Sequence, residues 1–441
     1  MWFVGGQRCP ESGCGDSAHA RVAFERDGKT WAMLDAARIL LGGGEQADAQ
    51  CIRGFLLRAS AKSHRASPLG CSLVAYARAC LRSPIYRRVV VLTSSTPMPP
   101  PSGRIATVDA LRGIASLSVA WFHFTNANPA LAPGIVKTSG SYGWLGVYIF
   151  FVISGFVIPY SLEKANYGYR QFWSFLSKRI VRLDPPYFAN MAFIFALAFV
   201  VPLVPGFRGP QPHFTATQLL SHVAYLNSVV GKTWINPVYW SLGIEFQYYL
   251  LIGLIFPLLC ASRVAIRMLT MLSLLVPGFF VPGGSLLFVH LPLFVAGILT
   301  YQYKVGRLSK GCYFGGLAVT AMAIGFGPGV VIAVTCAITS LVIAFVEFGG
   351  RILTWLGSIS YSLYLMHVPI GGKIVDLGTR FRHGEFVPSL FLIAAIGASI
   401  FAAWVLYRLV ECPSQRLSSR ISYGKKGERQ GENAVGCSVA A

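Results

Sequence analysis

The chain has 441 residues, 54% of them hydrophobic and 12% charged, with a mean hydropathy of +0.56, a balance that excludes an ordinary soluble globular protein and points to a membrane one. Its formal charge of +21 would suit nucleic acid in a soluble chain, but here Lys and Arg punctuate apolar runs, as in loops facing anionic lipid and cytosol. No nucleic-acid partner is therefore expected.

Residues 1–97 mix charged and small residues, with no sustained period and no 20-residue apolar run. They also lack the basic start, apolar core and small-residue cleavage site of a secretory signal. They read as a disordered or non-native extension, because Met98-Pro-Pro-Pro-Ser-Gly-Arg104 runs directly into the first organised segment and Met98 is a candidate true start. Ten Cys, five of them before residue 97, show neither CxxC nor paired Cys/His spacing, so no metal site and no disulfide framework are expected.

From about residue 110 onward, segments of roughly 20 apolar residues recur, the length that crosses a hydrocarbon core. Ten candidate spans lie near 110–128, 144–162, 188–206, 238–260, 266–282, 285–302, 312–328, 329–347, 353–372 and 388–408. Residues 214–235 are semi-apolar and read as an interfacial helix. If the first span enters from the cytosol, the inner segments hold 17 basic residues, among them Lys178, Arg179, Arg182, Arg263, Arg307 and Arg351, against six outside. That asymmetry satisfies the positive-inside rule with both termini cytoplasmic. The expected fold is an all-α polytopic transmembrane helical bundle of about ten spans, with residues 418–441 as a basic cytoplasmic tail.

Few ionisable groups fall at membrane depth, and such groups mark sites because they are costly there. Eleven positions separate Arg112 from His123; at 100° per residue that is three turns plus about 20°, so both share one helix face, roughly 16 Å apart along the axis. Glu245 stands centrally in its span, within Trp240-Ser-Leu-Gly-Ile-Glu245. A Glu that merely ties helices together by hydrogen bonds is the bland alternative. Arg179 and Arg182, three residues apart in the segment after the second span, offer planar donor forks suited to phosphate; simple cytosolic anchoring is the competing explanation. Trp240, Tyr249, Tyr361, Tyr364 and His367 are candidates to meet a sugar, since aromatic faces pack on rings and polar edges bond hydroxyls. Interfacial aromatic belts would look similar. His290 reads as structural.

Taken in order, these segments resemble the acyltransferase family 3 of polytopic membrane proteins. Val108-Asp109-Ala-Leu111-Arg112-Gly113, followed by His123, is similar to the family's signature of Arg, ten residues and His. Phe150-Phe151-Val-Ile-Ser154-Gly155, the Arg179, Arg182, Pro185, Tyr187 cluster, Trp240-Ser241-Leu242 with Glu245 and Tyr249, Leu356 to His367, and Glu411-Cys-Pro413 follow. The resemblance covers about 104–417. Ala110 stands where the family usually has Gly, and Phe246 and Tyr248 replace the usual acid and Phe after Glu245.

The resemblance implies transfer of an acyl group, most often acetyl, from acyl-CoA on the cytosolic side to a hydroxyl of a carbohydrate or other cell-envelope acceptor. The setting it implies is the bacterial cytoplasmic membrane. Acyl-CoA would be a substrate, and no cofactor would be held permanently. It places His123, Arg112 and Glu245 at the chemistry, Arg179, Arg182 and Tyr187 at the donor, and Trp240, Tyr364, His367 and Ser154 at the acceptor. Direct transfer is preferred, because no Gly-x-Ser-x-Gly nucleophile elbow is present, with a covalent acyl-enzyme on His123, Ser154 or Ser241 as the alternative. The rival reading is a secondary transporter, which should show two matching halves. No internal repeat is visible.

Overall fold

The computed structural model describes residues 24–26, 29–31, 105–126, 134–200, 202, 213–280, 286–378 and 386–423. The chain divides into two units, Met1–Thr96 and Pro97–Ala441. In the first, strands β1 (Phe24–Arg26) and β2 (Lys29–Trp31) pair antiparallel. The proposed extension otherwise falls outside the described residues, as does the basic tail beyond residue 423.

The described part of the second unit is all helical. In chain order it holds α1 (Ala106–Thr125), α2 (Ile135–Ser139), α3 (Gly146–Lys164), α4 (Phe172–Val200), α5 (Ala216–Val223), α6 (Tyr239–Leu259) and α7 (Val264–Ser273). There follow α8 (Leu287–Lys304), α9 (Lys310–Phe326), α10 (Val330–Phe345), α11 (Arg351–Met366), α12 (Lys373–Gly378), α13 (Phe386–Leu406) and α14 (Cys412–Ser419). Four helical stretches, Ile135–Lys164, Tyr169–Val200, Tyr239–Leu259 and Ser389–Ser419, are long and apolar enough to cross a membrane. The segments 264–279, 310–326 and 330–345 are shorter apolar helices.

Two expected boundaries move. The Arg179 to Tyr187 stretch, read as a loop before a span at 188, is the first half of α4, and Pro185 and Pro186 lie inside that helix. Neighbouring helices in a bundle can take up the backbone groups a proline frees, so the prolines do not end it. Likewise α1 stops at Thr125, where Asn126 turns the chain and donates to the Lys137 carbonyl at 3.0 Å. His123 therefore stands in the last turn of α1.

Lipid is as apolar as Leu, so membrane helices associate through close packing at small residues. The pairs α1 with α11 and α3 with α8 make the most extensive contacts. In the first, a Cβ on Gly357 would strike the Asp109 carbonyl, and one on Gly113 would press on Leu356 Cβ at 2.9 Å. In the second, Gly155 faces the Phe294 carbonyl and Gly297 faces the Val152 carbonyl just as closely. Between these pairs lies an aromatic core that includes Phe156, Phe175, Tyr187, Tyr239, Tyr248 and Phe294, each fully buried. The family departures belong to this core: Tyr248 stacks on Phe294 with ring centres 4.1 Å apart, and Phe246 stacks on Tyr225 at 4.9 Å.

The ends of α3, α6 and α8 meet at one end of the bundle. There Arg307 forks onto Glu163 (2.7 and 2.8 Å), Tyr301 donates to the same carboxylate at 2.5 Å, and Cys260 lies 3.6 Å from it. Arg267 donates to the carbonyls of Ala261 and Arg307. At the start of α4, Ser418 of α14 donates to the Lys178 carbonyl at 2.7 Å. The turn joining α5 to α6 is organised by His222, whose Nε2 accepts from the Ile235 N–H at 3.1 Å while Nδ1 meets the Gln218 carbonyl at 2.8 Å. Burial lowers the proton affinity of this imidazole. Next to Ile235, Asn236 Nδ2 donates to the Leu365 carbonyl at 3.0 Å, tying this turn to the end of α11.

Candidate active site

A cavity partly open to the outside lies among α1, α3, α4, α6 and α11. Its wall carries Arg112, Arg179 and Arg182, the carboxyl groups of Glu245 and Glu411, and the hydroxyls of Ser154, Ser241, Tyr249, Ser360 and Tyr364, among apolar side chains.

Each polar group is placed by the helix that bears it. The close approach that Gly113 and Gly357 permit lets Arg112 of α1 reach across to α11, where its Nε donates to Ser360 Oγ at 3.3 Å. Arg179 donates to Ser161 Oγ at 2.7 Å, and its guanidinium lies over the rings of Phe175 and Tyr249, 5.3 and 5.7 Å from their centres. Such contacts hold a cation in place without neutralising it. Arg182 follows on the same face of α4, one turn along. Among the described residues none of the three guanidiniums has a carboxylate within ion-pair distance.

Glu245 is held differently. Its Oε1 accepts from Ser154 at 2.8 Å and from Tyr249, one turn further along α6, at 2.6 Å. Ser241 and Tyr364 bond to each other at 2.7 Å. Glu411 reaches the cavity from a π turn, Tyr407–Glu411, and accepts from Ser362 at 2.6 Å and Gln415 at 2.9 Å. Single π turns in helices recur at functional sites.

Of the residues singled out from the sequence, Arg112, Arg179, Arg182, Glu245, Ser154 and Tyr364 share this cavity. His123 and His367 are not on its wall. They face each other beside it, ring centres 5.2 Å apart, with Tyr364 5.8 Å from His367 as the link to the cavity. Glu245 is engaged by Ser154 and Tyr249, not by His123. Tyr187 is fully buried against Tyr239, ring centres 4.4 Å apart, and does not reach the cavity. Trp240 packs against Phe151 and His290. On α6 it faces the helix side away from the cavity. Glu411 and Ser360 were given no role beforehand. The signal for Glu411 was its place in the Glu411-Cys-Pro413 segment, an acid directly after a strongly apolar run. Among the described residues no three His, Cys, Asp or Glu side chains converge as metal ligands would.

Residues 105–408 match the acyltransferase-3 family, described as an acyltransferase domain. The chain is 26% identical over 368 residues to the O-acetyltransferase OatA of Staphylococcus aureus strain NCTC 8325 / PS 47, covering 70% of this chain and 57% of that protein. The same figures hold for OatA of strain COL. It is also 29% identical over 171 residues to "Putative acetyltransferase ORF330" of Acidianus two-tailed virus, covering 39% of this chain and 47% of the relative. The chain thus spans about half the length of these relatives. No solved structure matches. With the family matched over well more than half of its length, and with four helices able to cross a membrane, this chain belongs to the acyltransferase-3 family of integral membrane proteins.

Proposed function

We propose that the protein is a membrane O-acyltransferase that moves an acyl group, most simply acetyl, from acyl-CoA to a hydroxyl of a carbohydrate or similar cell-envelope acceptor. The observation that carries this reading is the convergence of Arg112, Arg179 and Arg182 on one cavity with no carboxylate paired to them. Three guanidiniums with no carboxylate within ion-pair distance among the described residues suit a polyanion, and the phosphates of CoA supply one with matching fork geometry. The first halves of α1 and α4 carry these arginines. The basic turns after α3, α6 and α8 gather at one bundle end, which the positive-inside rule assigns to the cytosol of a bacterial cell. About ten crossings with both termini inside complete this topology.

The pantetheine arm would then run along the α1 face past Ser154, Glu245 and Tyr364 toward His123, roughly 16 Å beyond Arg112. There a nitrogen of neutral His123 takes the acceptor's hydroxyl proton as the oxygen attacks the thioester carbonyl. Collapse of the tetrahedral species breaks the C–S bond, and the departing CoA thiolate takes up the proton held by His123. The Ser241 and Tyr364 oxygens, whose protons are held by each other and by the Val238 carbonyl, would accept from a hydroxyl of the acceptor. Glu245 keeps Ser154 and Tyr249 in register and balances the arginines electrostatically.

Purified full-length protein incubated with radiolabelled acetyl-CoA and a panel of envelope glycans should move label to a glycan, and His123→Ala should not. Solute uptake into vesicles without label transfer would replace this reading with transport.

A further inference from the structure

His367 is the first residue of a second π turn, His367–Gly372, at the end of α11. Its Nδ1 lies 3.1 Å from the Leu363 carbonyl one turn earlier. A carbonyl can only accept, so Nδ1 carries the proton and Nε2 of the neutral ring is an acceptor. That Nε2 is completely buried and has no hydrogen-bond partner among the described residues. A buried acceptor left unpaired costs about 1–3 kcal/mol, so such an atom calls for a partner.

Three rings surround the His367 imidazole: His123, Tyr364 and Phe124, with centres 5.2, 5.8 and 6.3 Å from its own ring centre. Phe124 has no proton to give. The Tyr364 hydroxyl is already engaged by Ser241 and the Val238 carbonyl. His123 has an N–H, and no hydrogen bond reaches its ring from any described residue. At this separation two ring nitrogens turned toward each other come within hydrogen-bond reach, and contacts of this kind commonly tighten once substrate is bound.

The support under His367 is rigid. The Leu365 carbonyl accepts from Asn236, and Met366 Sδ lies 3.0 Å from Asn190 Nδ2. A Cβ added to Gly371 would collide with Phe124 Cζ, so the π turn is pressed against the last turn of α1 that bears His123.

We infer that His367 is a positioning residue for His123: its Nε2 accepts the N–H of one His123 nitrogen and so leaves the other, unprotonated, facing the reacting hydroxyl. The inference rests on the reading of His123 as the base. His367 lies off the cavity wall.

The test uses full-length His367→Phe, His367→Gln and His123→Ala in detergent micelles, with two readouts. One is kcat and KM for labelled acetyl transfer. The other is the rate at which diethyl pyrocarbonate modifies His123, followed by peptide mass spectrometry and independent of turnover. His367→Phe should lower kcat by roughly tenfold or more, inside the roughly 10²–10⁴-fold a general base supplies, with the donor KM unchanged and His123 modified more slowly. His367→Gln, which returns an acceptor oxygen near the place of Nε2, should recover most of both. The inference is overturned if His367→Phe leaves kcat and the His123 modification rate within about twofold of the parent, or if Gln is as impaired as Phe. An active His123→Ala would instead remove the base reading, while the modification rate would still decide whether His367 acts on the His123 ring.

Discussion

Two clusters of charge inside this bundle look alike by composition and differ in how they are paired. At the junction of α3, α6 and α8, Arg307 and Glu163 form a two-pronged pair at 2.7 and 2.8 Å, and Tyr301 and Cys260 close the remaining positions. In the cavity, three arginines and two glutamates share one wall, yet each glutamate is satisfied by hydroxyl or amide groups and each arginine, among the described residues, by a hydroxyl, an aromatic face or no hydrogen-bond partner. A closed cluster holds helices together. An open one, already held in place, fits the polyanionic donor proposed above.

The largest effect expected on the open side is at the base beside it. His123→Ala should reduce acetyl transfer by roughly 10²–10⁴-fold, with the protein still eluting as a monodisperse membrane protein; near-parent turnover would break the account. Next, Arg182→Ala should weaken acyl-CoA binding by about 1.5–3 kcal/mol, roughly 10- to 150-fold, measured as the donor KM and growing smaller as salt is added. On the closed side, Arg307→Ala should cost about 1.5–3 kcal/mol of stability by stranding Glu163, read as a lower midpoint of thermal unfolding at unchanged donor KM. Gly297→Leu should cost about 1–3 kcal/mol or more by forcing α3 and α8 apart at their closest approach, seen in the same melt.

The smallest effect is a pH dependence at His222, a third closed cluster. Its proton affinity is lowered by burial and its Nε2 must accept from Ile235. The unfolded chain therefore binds the proton more readily than the folded one, so this contribution is present above about pH 6.5, the ordinary histidine value. It is lost as pH falls from there, by at most about 1.4 kcal/mol per pH unit for one proton. The melting temperature of His222→Gln should fall less steeply between pH 7 and 5 than that of the parent. Parallel slopes would remove His222 from the list of pH-sensitive elements.

Local periodicity explains which parts of the site were legible in the sequence. Arg112, Arg179, Arg182 and Glu245 are rare charges in apolar helices, and their spacing alone puts each on a definite helix face. All four reach the cavity. Aromatic residues carry no such signal, because Tyr and Trp serve core, interface and site equally. Only packing decides that Tyr249, Tyr361 and Tyr364 line the cavity while Tyr187 stacks in the core and Trp240 packs beside His290. The two π turns were invisible for a related reason: one extra residue in a turn leaves no mark on composition, yet it decides where His367 and Glu411 point. The α4 boundary was misplaced because a charged, proline-bearing stretch reads as a loop until neighbouring helices are there to hold it.

The contrast between open and closed charge is tested most directly by equilibrium binding of acetyl-CoA to the purified full-length protein, comparing the parent with Arg182→Ala and Arg307→Ala at low and physiological salt. The account predicts at least roughly tenfold weaker binding for Arg182→Ala and an unchanged affinity for Arg307→Ala. Equal weakening by both substitutions, or none by Arg182→Ala, would contradict it.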